Sequence, residues 1–504
     1  MTSSSLSTVD EYEVVVVGAG PTGLLTAALL GGYGVSTLVV DQHSTPENRP
    51  GGVALDDAGL RALHAAGVGA ALAPWLHHAP EVEYRSVRGY RRWHPPAHRP
   101  YGHPRLVTCQ QSDLERVLRD RLACLDAVEI RSGVDYLAHD LAGGAITLLR
   151  DPATGADHRV FSQFLLACDG ASGRVRRQLG LDGFGDTGPE SWLVADVRDD
   201  RGLAGTRGRS APPAAAIALP EGLRRFEVRL PAGYERAVAP PLLPGLLAHL
   251  LGADPLDVVD IAVQDRFFRG ADFLREGRVF LLGTAAHVIP PCAGVPFGTD
   301  LRDALNLAWK LAFALRGGLA DDILDSYQLE RGRHAARTAD FADRMNRWLY
   351  GAPRGTGLRP LRPGPAFDTG FFDRTAGGGR LFPQPPVGAG RTICPLDDAL
   401  GQGFAVLAHA ESRIPAAWWQ ARLGDDTVVA RIRRQPTDFP VEPDVTVLDD
   451  PTGALARACQ AHTTDDAQSI VLRPDRVVFG AYRDIRAEQQ RFGAATARHS
   501  AALI

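Results

Sequence analysis

The chain has 504 residues, 45% hydrophobic and 23% charged, with a formal net charge of −4. That is room for roughly two to four domains with real cores. It excludes the basic surface of a nucleic-acid binder or a polybasic membrane anchor. No apolar run reaches bilayer-spanning length, and the first residues are polar and acidic, unlike a secretory leader. The six cysteines show no CxxC or other metal spacing, so the expectation is a cytoplasmic enzyme without a bound metal. Basic charge is almost entirely arginine; Lys310 is the only lysine.

Residues 14–17 are four valines, a run that reads as a buried strand. Gly18, Gly20, Pro21, Thr22 and Gly23 follow in a GxGxxG spacing. Residues 24–30 then read as a helix, and residues 36–40 as a second buried strand closed by Asp41. This is the dinucleotide-binding βαβ unit with every part in order. Gly18 permits the tight turn, Gly20 lets a pyrophosphate approach the backbone, and Gly23 lets the helix pack on the strand. The helix N-terminus offers free N–H groups to the phosphates, and Asp41 can accept from a ribose hydroxyl. Gly183, Gly185 and Gly188 repeat the spacing, but no strand precedes them and Pro189 follows, so that copy reads as a loop.

Farther on, residues 42–52 are a polar loop, and residues 53–72 carry helical periodicity through Leu55, Leu60, Leu63 and Val68. Residues 74–104 are rich in aromatic, proline and histidine residues. Residues 82–93 within them read as a hairpin belonging to another domain. His94, His98 and His103 are separated by prolines and fit a loop over a substrate cavity better than a metal site. A helix is expected over 111–125, a hairpin tip at 151–155, and a buried strand over 164–168 ending in Asp169 and Gly170. Residues 185–273 turn to short strands and prolines, as in an antiparallel sheet. A strand over 278–283 precedes a helix over 300–316, capped by Thr299 or Asp300 and stopped at Gly317. Helix is again expected over 321–350, a Pro- and Gly-rich linker over 351–390, and a small α/β domain after it. Tyr84, Trp93, Tyr101, Trp192, Phe226 and Phe268 are candidates for an aromatic cavity or for core. Cys292 reads as a small packing residue. Cys394 and Cys459, each without a partner cysteine nearby, imply no redox work by the tail.

Three stretches together resemble the flavoprotein aromatic hydroxylases, the para-hydroxybenzoate hydroxylase-like FAD monooxygenases. The first is the unit just described. The second runs from Cys168, Asp169 and Gly170 to Val175 and Arg176, similar to the family's CDG element. The third joins Gly283, Thr284, Ala285, Ala286, His287, Pro290 and Pro291 to Asp303, Asn306, Trp309 and Lys310. Gln111 and Glu115 resemble a Q-x-x-x-E element whose glutamine touches the flavin. The tail, through Gly401, Gln402, Gly403 and Arg473, Pro474, Asp475, is similar to the thioredoxin-like C-terminal domain of larger members, hydroxyphenylpropionate and polyketide-tailoring hydroxylases among them.

The resemblance implies an α/β architecture: a doubly wound Rossmann-like FAD domain, an antiparallel-sheet substrate domain and a C-terminal thioredoxin-like domain. The expected boundaries are 1–74, 111–184 and 275–350 for the FAD domain with its connecting helices. They are 75–110 and 185–274 for the substrate domain, 351–390 for the linker and 391–504 for the tail domain. The implied cofactor is FAD, with NAD(P)H as transient reductant and a small aromatic or polyketide-like substrate. Reduced flavin activates O₂, and the protein positions the ring to be oxygenated. No nucleic-acid or membrane partner is expected, and a homodimer is compatible with the sequence.

The implied FAD contacts are Gly18, Gly20, Pro21, Thr22, Gly23, Asp41, Arg49, Gln111, Asp169, Gly283, Thr284, Pro291, Gly294, Val295, Pro296, Phe297 and Gly298. His287 and Pro290 are the candidates nearest the chemistry, with a structural turn the competing reading for His287. The chain departs from the family at Thr284, where an aspartate is usual, and in the loop of Gly294, Val295, Pro296 and Gly298. A family arginine aligns with Gly51, with Arg49 as its nearest substitute. Two readings follow: FAD held by other contacts, or a weakened flavin site that would allow a non-redox cyclase, isomerase or hydrolase, or a silent binding protein.

Overall fold

The computed structural model describes residues 9–45, 51–86, 89–181, 183, 190–198, 202–205, 212–231, 239–253, 256–292, 294–317, 322–350, 362–390, 392–408, 415–433, 445–462 and 469–482. They form two units, one of Met1–His98, Pro104–Ala304 and Ala335–Arg362, the other of Arg99–His103, Leu305–His334 and Pro363–Ile504.

The first unit contains two large sheets. In one, the strands Val279–Leu281, Asp157–Ala167, Asp10–Val17, Thr37–Asp41 and Val128–Ser132 run parallel in that order. Val14, Val15 and Val16 are fully buried at its centre, as strands covered on both faces require. The helix Pro21–Gly32 follows the central strand, with proline in its first turn, where its missing N–H costs nothing. Residues 53–72 depart from the expected helix. Ala54–Asp56 is a strand, and the helix Asp57–Ala65 begins only after Asp56, whose Oδ1 accepts from Gly59 N at 2.7 Å. That N-cap resets the helix start, a local signal outweighed in the sequence by the longer apolar period.

The second sheet is antiparallel, ordered Asp257–Arg266, Glu190–Arg198, Leu223–Arg229, Ala214–Ala218, Val82–Ser86 and Gly89–Trp93. The hairpin at residues 82–93 thus joins strands far away in sequence. One face buries Leu193, Ala195, Ala216, Phe226 and Val228 against Leu247 and Leu251 of the helix Leu243–Leu251. The opposite face is left for the cavity described below.

The second unit is built on a seven-stranded sheet flanked by Leu396–Leu400, Ala416–Leu423 and Ala454–His462. Its core includes Phe382, Leu407, Leu455 and Cys459. The stretch read as a linker differs from that reading. Residues 351–361 lie outside the described residues, but Phe371, Phe372 and Phe382 beyond them are buried. Proline and glycine here shape a packed loop, not a tether. Residues 322–350 are helical but interrupted by a π-helical turn, Gln328–Gly332. That turn carries Glu330 into a fully buried charge cluster with Lys310 (2.8 Å), Asn306 (2.7 Å) and Arg473 (2.7 and 2.9 Å). Cys394 and Cys459 are not joined in a disulfide. Among the described residues, no helix is long and apolar enough to cross a membrane.

Candidate active site

A cavity of about 620 Å³ opens at the C-terminal ends of the parallel strands, the position ligands take in open α/β sheets. Its floor is the turn between Val17 and Pro21. The three glycines of that turn do different work. A Cβ on Gly18 would lie 2.3 Å from the Cys168 carbonyl oxygen, and its φ is +107°. On Gly23 it would lie 1.9 Å from the Gly18 oxygen. On Gly20 it would meet nothing within 4 Å. Gly18 and Gly23 are therefore needed by the protein itself, whereas Gly20 keeps the cavity open. Asp41 closes the far side, with one oxygen 2.6 Å from Ala19 N and the other 2.8 Å from His43 N.

The helix Gln111–Leu122 presents Gln111, Glu115 and Arg119 to this cavity. Gln111 is fixed from both ends: Gly52 N donates to its Oε1, and its Nε2 donates to Glu115, both at 2.8 Å. Arg119 donates to the Ala19 carbonyl at 3.4 Å, while its buried Nε has no hydrogen-bond partner among the described residues. Asp169 lines the opposite wall and accepts from Val175 N at 3.0 Å; burial nevertheless raises its carboxyl above the ordinary range.

A second cavity, about 390 Å³, shares Pro21, Thr22, Gln111 and Thr284 with the first. Tyr84, Arg225, Glu227 and Arg266 come from the antiparallel sheet, Pro291, Gly294, Pro296 and Phe297 from the segment entering a long helix, and Leu349 and Tyr350 from the helix Arg333–Tyr350. Tyr350 packs 5.2 Å from Trp192, ring to ring. Burial, with Tyr84 and Glu227 nearby, pushes its hydroxyl well above the ordinary value, so it remains a donor at neutral pH.

Eight of the implied contacts, Gly18, Gly20, Pro21, Thr22, Asp41, Gln111, Asp169 and Thr284, line the first cavity. Pro291, Gly294, Pro296 and Phe297 line the second. Gly23, Gly283, Val295 and Gly298 line neither, and Arg49 lies outside the described residues. Gly298 is where the backbone passes Asp56, whose carboxylate oxygen would sit 2.1 Å from an added Cβ. The long helix starts at Val295, five residues before the expected start near Asp300, because Pro296 falls in its first turn. Pro296 therefore withholds no N–H that the helix would otherwise use.

His287 and Pro290 line neither cavity. His287 is buried, its Nε2 2.7 Å from Asp303 Oδ2, and the same oxygen accepts from Gly283 N at 2.9 Å. It braces the turn that carries Thr284 and is not placed to act on a substrate. Among the described residues the grouping with metal-like spacing is His287, Asp300 and Asp303, while His94 lies against Glu81. Phe226 and Phe268 pack in cores, and Trp93 and Tyr101 line neither cavity. The sequence reading missed Arg119, Arg225, Glu227, Arg266 and Tyr350. Arg119 alone had a local signal, since it continues the i, i+4 spacing of Gln111 and Glu115.

Residues 11–211 and 254–342 match the family described as FAD binding domain, and residues 379–497 match the HcaD C-terminal domain. The 3-(3-hydroxy-phenyl)propionate/3-hydroxycinnamic acid hydroxylase of Mycobacterium sp. (strain JLS) is 32% identical, over 94% of this chain and 89% of the relative. The chain belongs to the FAD-dependent aromatic hydroxylases. It is a flavoprotein monooxygenase, with FAD as cofactor and NAD(P)H as the reductant typical of its family. Its fold is shared with the flavin-dependent monooxygenase PieE solved with FAD and substrate, at 19% identity and a TM-score of 0.80 over 98% of this chain and 99% of that one. It is shared too with aklavinone-11 hydroxylase solved with FAD and aklavinone, at 20% identity and 0.77 over 98% and 99%. The relative that carries the family assignment is named a hydroxylase, while the fold by itself is also that of the Diels-Alderase PyrE3, at 21% identity and a TM-score of 0.69 over 95% of this chain and 98% of that one.

The first cavity fits FAD on its own geometry: Gly20 leaves room for a pyrophosphate, and Arg119 brings an unsatisfied cationic donor beside it. Asp41→Ala would remove the acceptor holding Ala19 N and a ribose partner together. Charge-assisted hydrogen bonds contribute about 1.5–3 kcal/mol each, so the FAD dissociation constant should rise about tenfold or more. Titration of the apoprotein by flavin fluorescence quenching checks this.

Proposed function

We propose that this monooxygenase inserts one oxygen atom of O₂ into a phenol-like or polyketide-like ring held in the 390 Å³ cavity, the second atom leaving as water while NAD(P)H is oxidised. The observation that carries the reading is the sharing of Pro21, Thr22, Gln111 and Thr284 by the two cavities, which joins the dinucleotide cleft to an aromatic-lined chamber. FAD bound there supplies the oxygen chemistry. The chain's own residues supply placement. Gln111, held by Gly52 and Glu115, fixes the wall at the junction. Tyr84, Phe297, Leu349 and Tyr350 offer apolar surface that excludes water from the ring. The Tyr350 hydroxyl is a donor for a substrate oxygen. We further place the enzyme in the cytoplasm, where NAD(P)H is available, working without a nucleic-acid partner and compatible with a homodimer.

The test is substrate-dependent consumption of NAD(P)H and O₂ by FAD-loaded protein across a panel of monocyclic and polycyclic phenols, with ¹⁸O from ¹⁸O₂ appearing in the product. Turnover without reductant or O₂ would overturn it.

Thr284 stands exposed at the junction of the cavities, where relatives of this type are expected to carry a carboxylate. A neutral hydroxyl contributes about 1 kcal/mol through a hydrogen bond and a charged group roughly twice that. The wild type should therefore lose FAD on dilution, and Thr284→Asp should tighten retention about tenfold. The ratio of flavin to protein absorbance after desalting measures both. Adding Gly298→Asn would not help, because Asp56 occupies the space.

A further inference from the structure

The cavity-facing side of the antiparallel sheet carries several charged side chains, and both of its chamber-lining arginines are paired with carboxylates. Register sets Asp196 directly opposite Arg225, with Asp260 on its other flank. Strand alternation puts Glu227, Gln264 and Arg266 on the same side. Arg225 Nε and Nη2 each meet an Asp196 oxygen at 2.7 Å, with the two side chains only 3% and 5% exposed. A further donor, Nη1, goes to the Gly51 carbonyl. Arg266 Nη2 lies 3.0 Å from Glu227 Oε2, and its guanidinium covers the Trp192 ring at 4.4 Å. Both arginines line the chamber, and so do Glu227 and Asp300. The chamber therefore holds cationic side chains but no net positive charge.

We propose that Asp196 and Glu227 are specificity-determining residues that make this chamber select an uncharged aromatic substrate and reject one bearing a carboxylate. The inference rests on the chamber being the substrate site. A substrate carboxylate that reached the Arg266 Nε–H would sit beside Glu227, which already neutralises that guanidinium, and near Asp300; to hold a cation for itself it would have to break an ion pair. A neutral substrate meets neither obstacle. It also finds a donor, since Arg266 Nε is buried and makes no hydrogen bond among the described residues. A carbonyl or phenolic oxygen can accept from it without disturbing the charge balance.

The experiment measures dissociation constants on FAD-loaded enzyme, by flavin absorbance changes, for phenols prepared in pairs: a free propionate acid and its methyl ester, of one to four rings. At pH 7.5 the esters should bind about tenfold or more tightly than the acids, the effect of roughly one unscreened charge in a partly buried site. Glu227→Gln frees the Arg266 charge and should shrink that ratio mainly by improving the acids. Acids binding as well as or better than esters in the wild type would overturn the proposal while leaving the monooxygenase reading intact. A ratio unchanged in folded Glu227→Gln would remove Glu227 from it. Should Glu227→Gln fail to fold, the wild-type ratio decides alone. No binding by any acid or ester would overturn both the proposal and the assignment of the chamber.

Discussion

Gly20→Val should abolish FAD binding in a protein that still folds. The added Cβ has open space around it and Gly20 has an ordinary φ of −75°, so nothing in the fold resists the change. The space it fills is the floor of the dinucleotide cavity. Valine would hold a pyrophosphate away from the N–H groups at the start of the helix Pro21–Gly32. Losing two charge-assisted hydrogen bonds at about 1.5–3 kcal/mol each weakens binding by about a hundredfold or more. Gly23→Ala, which is chemically milder, should do the reverse. Its Cβ would collide with the Gly18 oxygen at 1.9 Å. Backbone cannot yield as a flexible side chain can, so the helix must move off the sheet and the protein should be recovered poorly or with a lowered melting temperature. FAD titration and thermal melting of both variants separate the two roles. Gly20→Val retaining wild-type affinity would overturn the placement of the cofactor.

Glu330→Gln should be the most destabilising single change in the second unit. Lys310 and Arg473 are fully buried and both lean on this one carboxylate, with Asp475 as the other acid of the cluster. Neutralising Glu330 leaves a buried positive charge without compensation, which costs about 3–5 kcal/mol. Replacing Lys310 by methionine in the same protein should recover a large part of that loss, because the orphaned charge goes with it; the cycle measures the coupling. The pH dependence has a defined sign. Burial pulls the Glu330 carboxyl upward, but Arg473 and Lys310 outweigh it and hold the carboxyl well below the ordinary carboxylate range. A group depressed in the folded state stabilises fully above its unfolded pKa, about 4.3, and loses that contribution as pH falls below it. The wild type should thus lose stability on acidification more steeply than Glu330→Gln, and denaturant melts at pH 7 and pH 3.5 compare the two. Equal acid sensitivity would show that the cluster is not the ion network described.

The sequence by itself determined the dinucleotide unit. Strand, turn, helix and acid lie within residues 13–41, and each is specified by neighbours: the valine run, the glycine spacing, the proline in the first helical turn. The glutamine and glutamate on the helix Gln111–Leu122 were legible through the resemblance to the Q-x-x-x-E element, whose i, i+4 spacing is itself a local property. What only the tertiary structure decided is the charge pairing of the chamber beside it, the buried ion cluster of the second unit and the close approaches between residues distant in sequence. Asp196 meets Arg225 across 29 residues, Glu330 meets Arg473 across 143, and Gly298 is a glycine because Asp56 approaches it. Sequence alone shows that these residues are charged or small, not that they are paired. Likewise His287 could be read as near the chemistry until Asp303 was seen to hold it away from both cavities. Local dihedral and spacing preferences write the cofactor turn into a short stretch. The charge of the second chamber is set by contacts between strands and helices that become neighbours only when the sheet assembles.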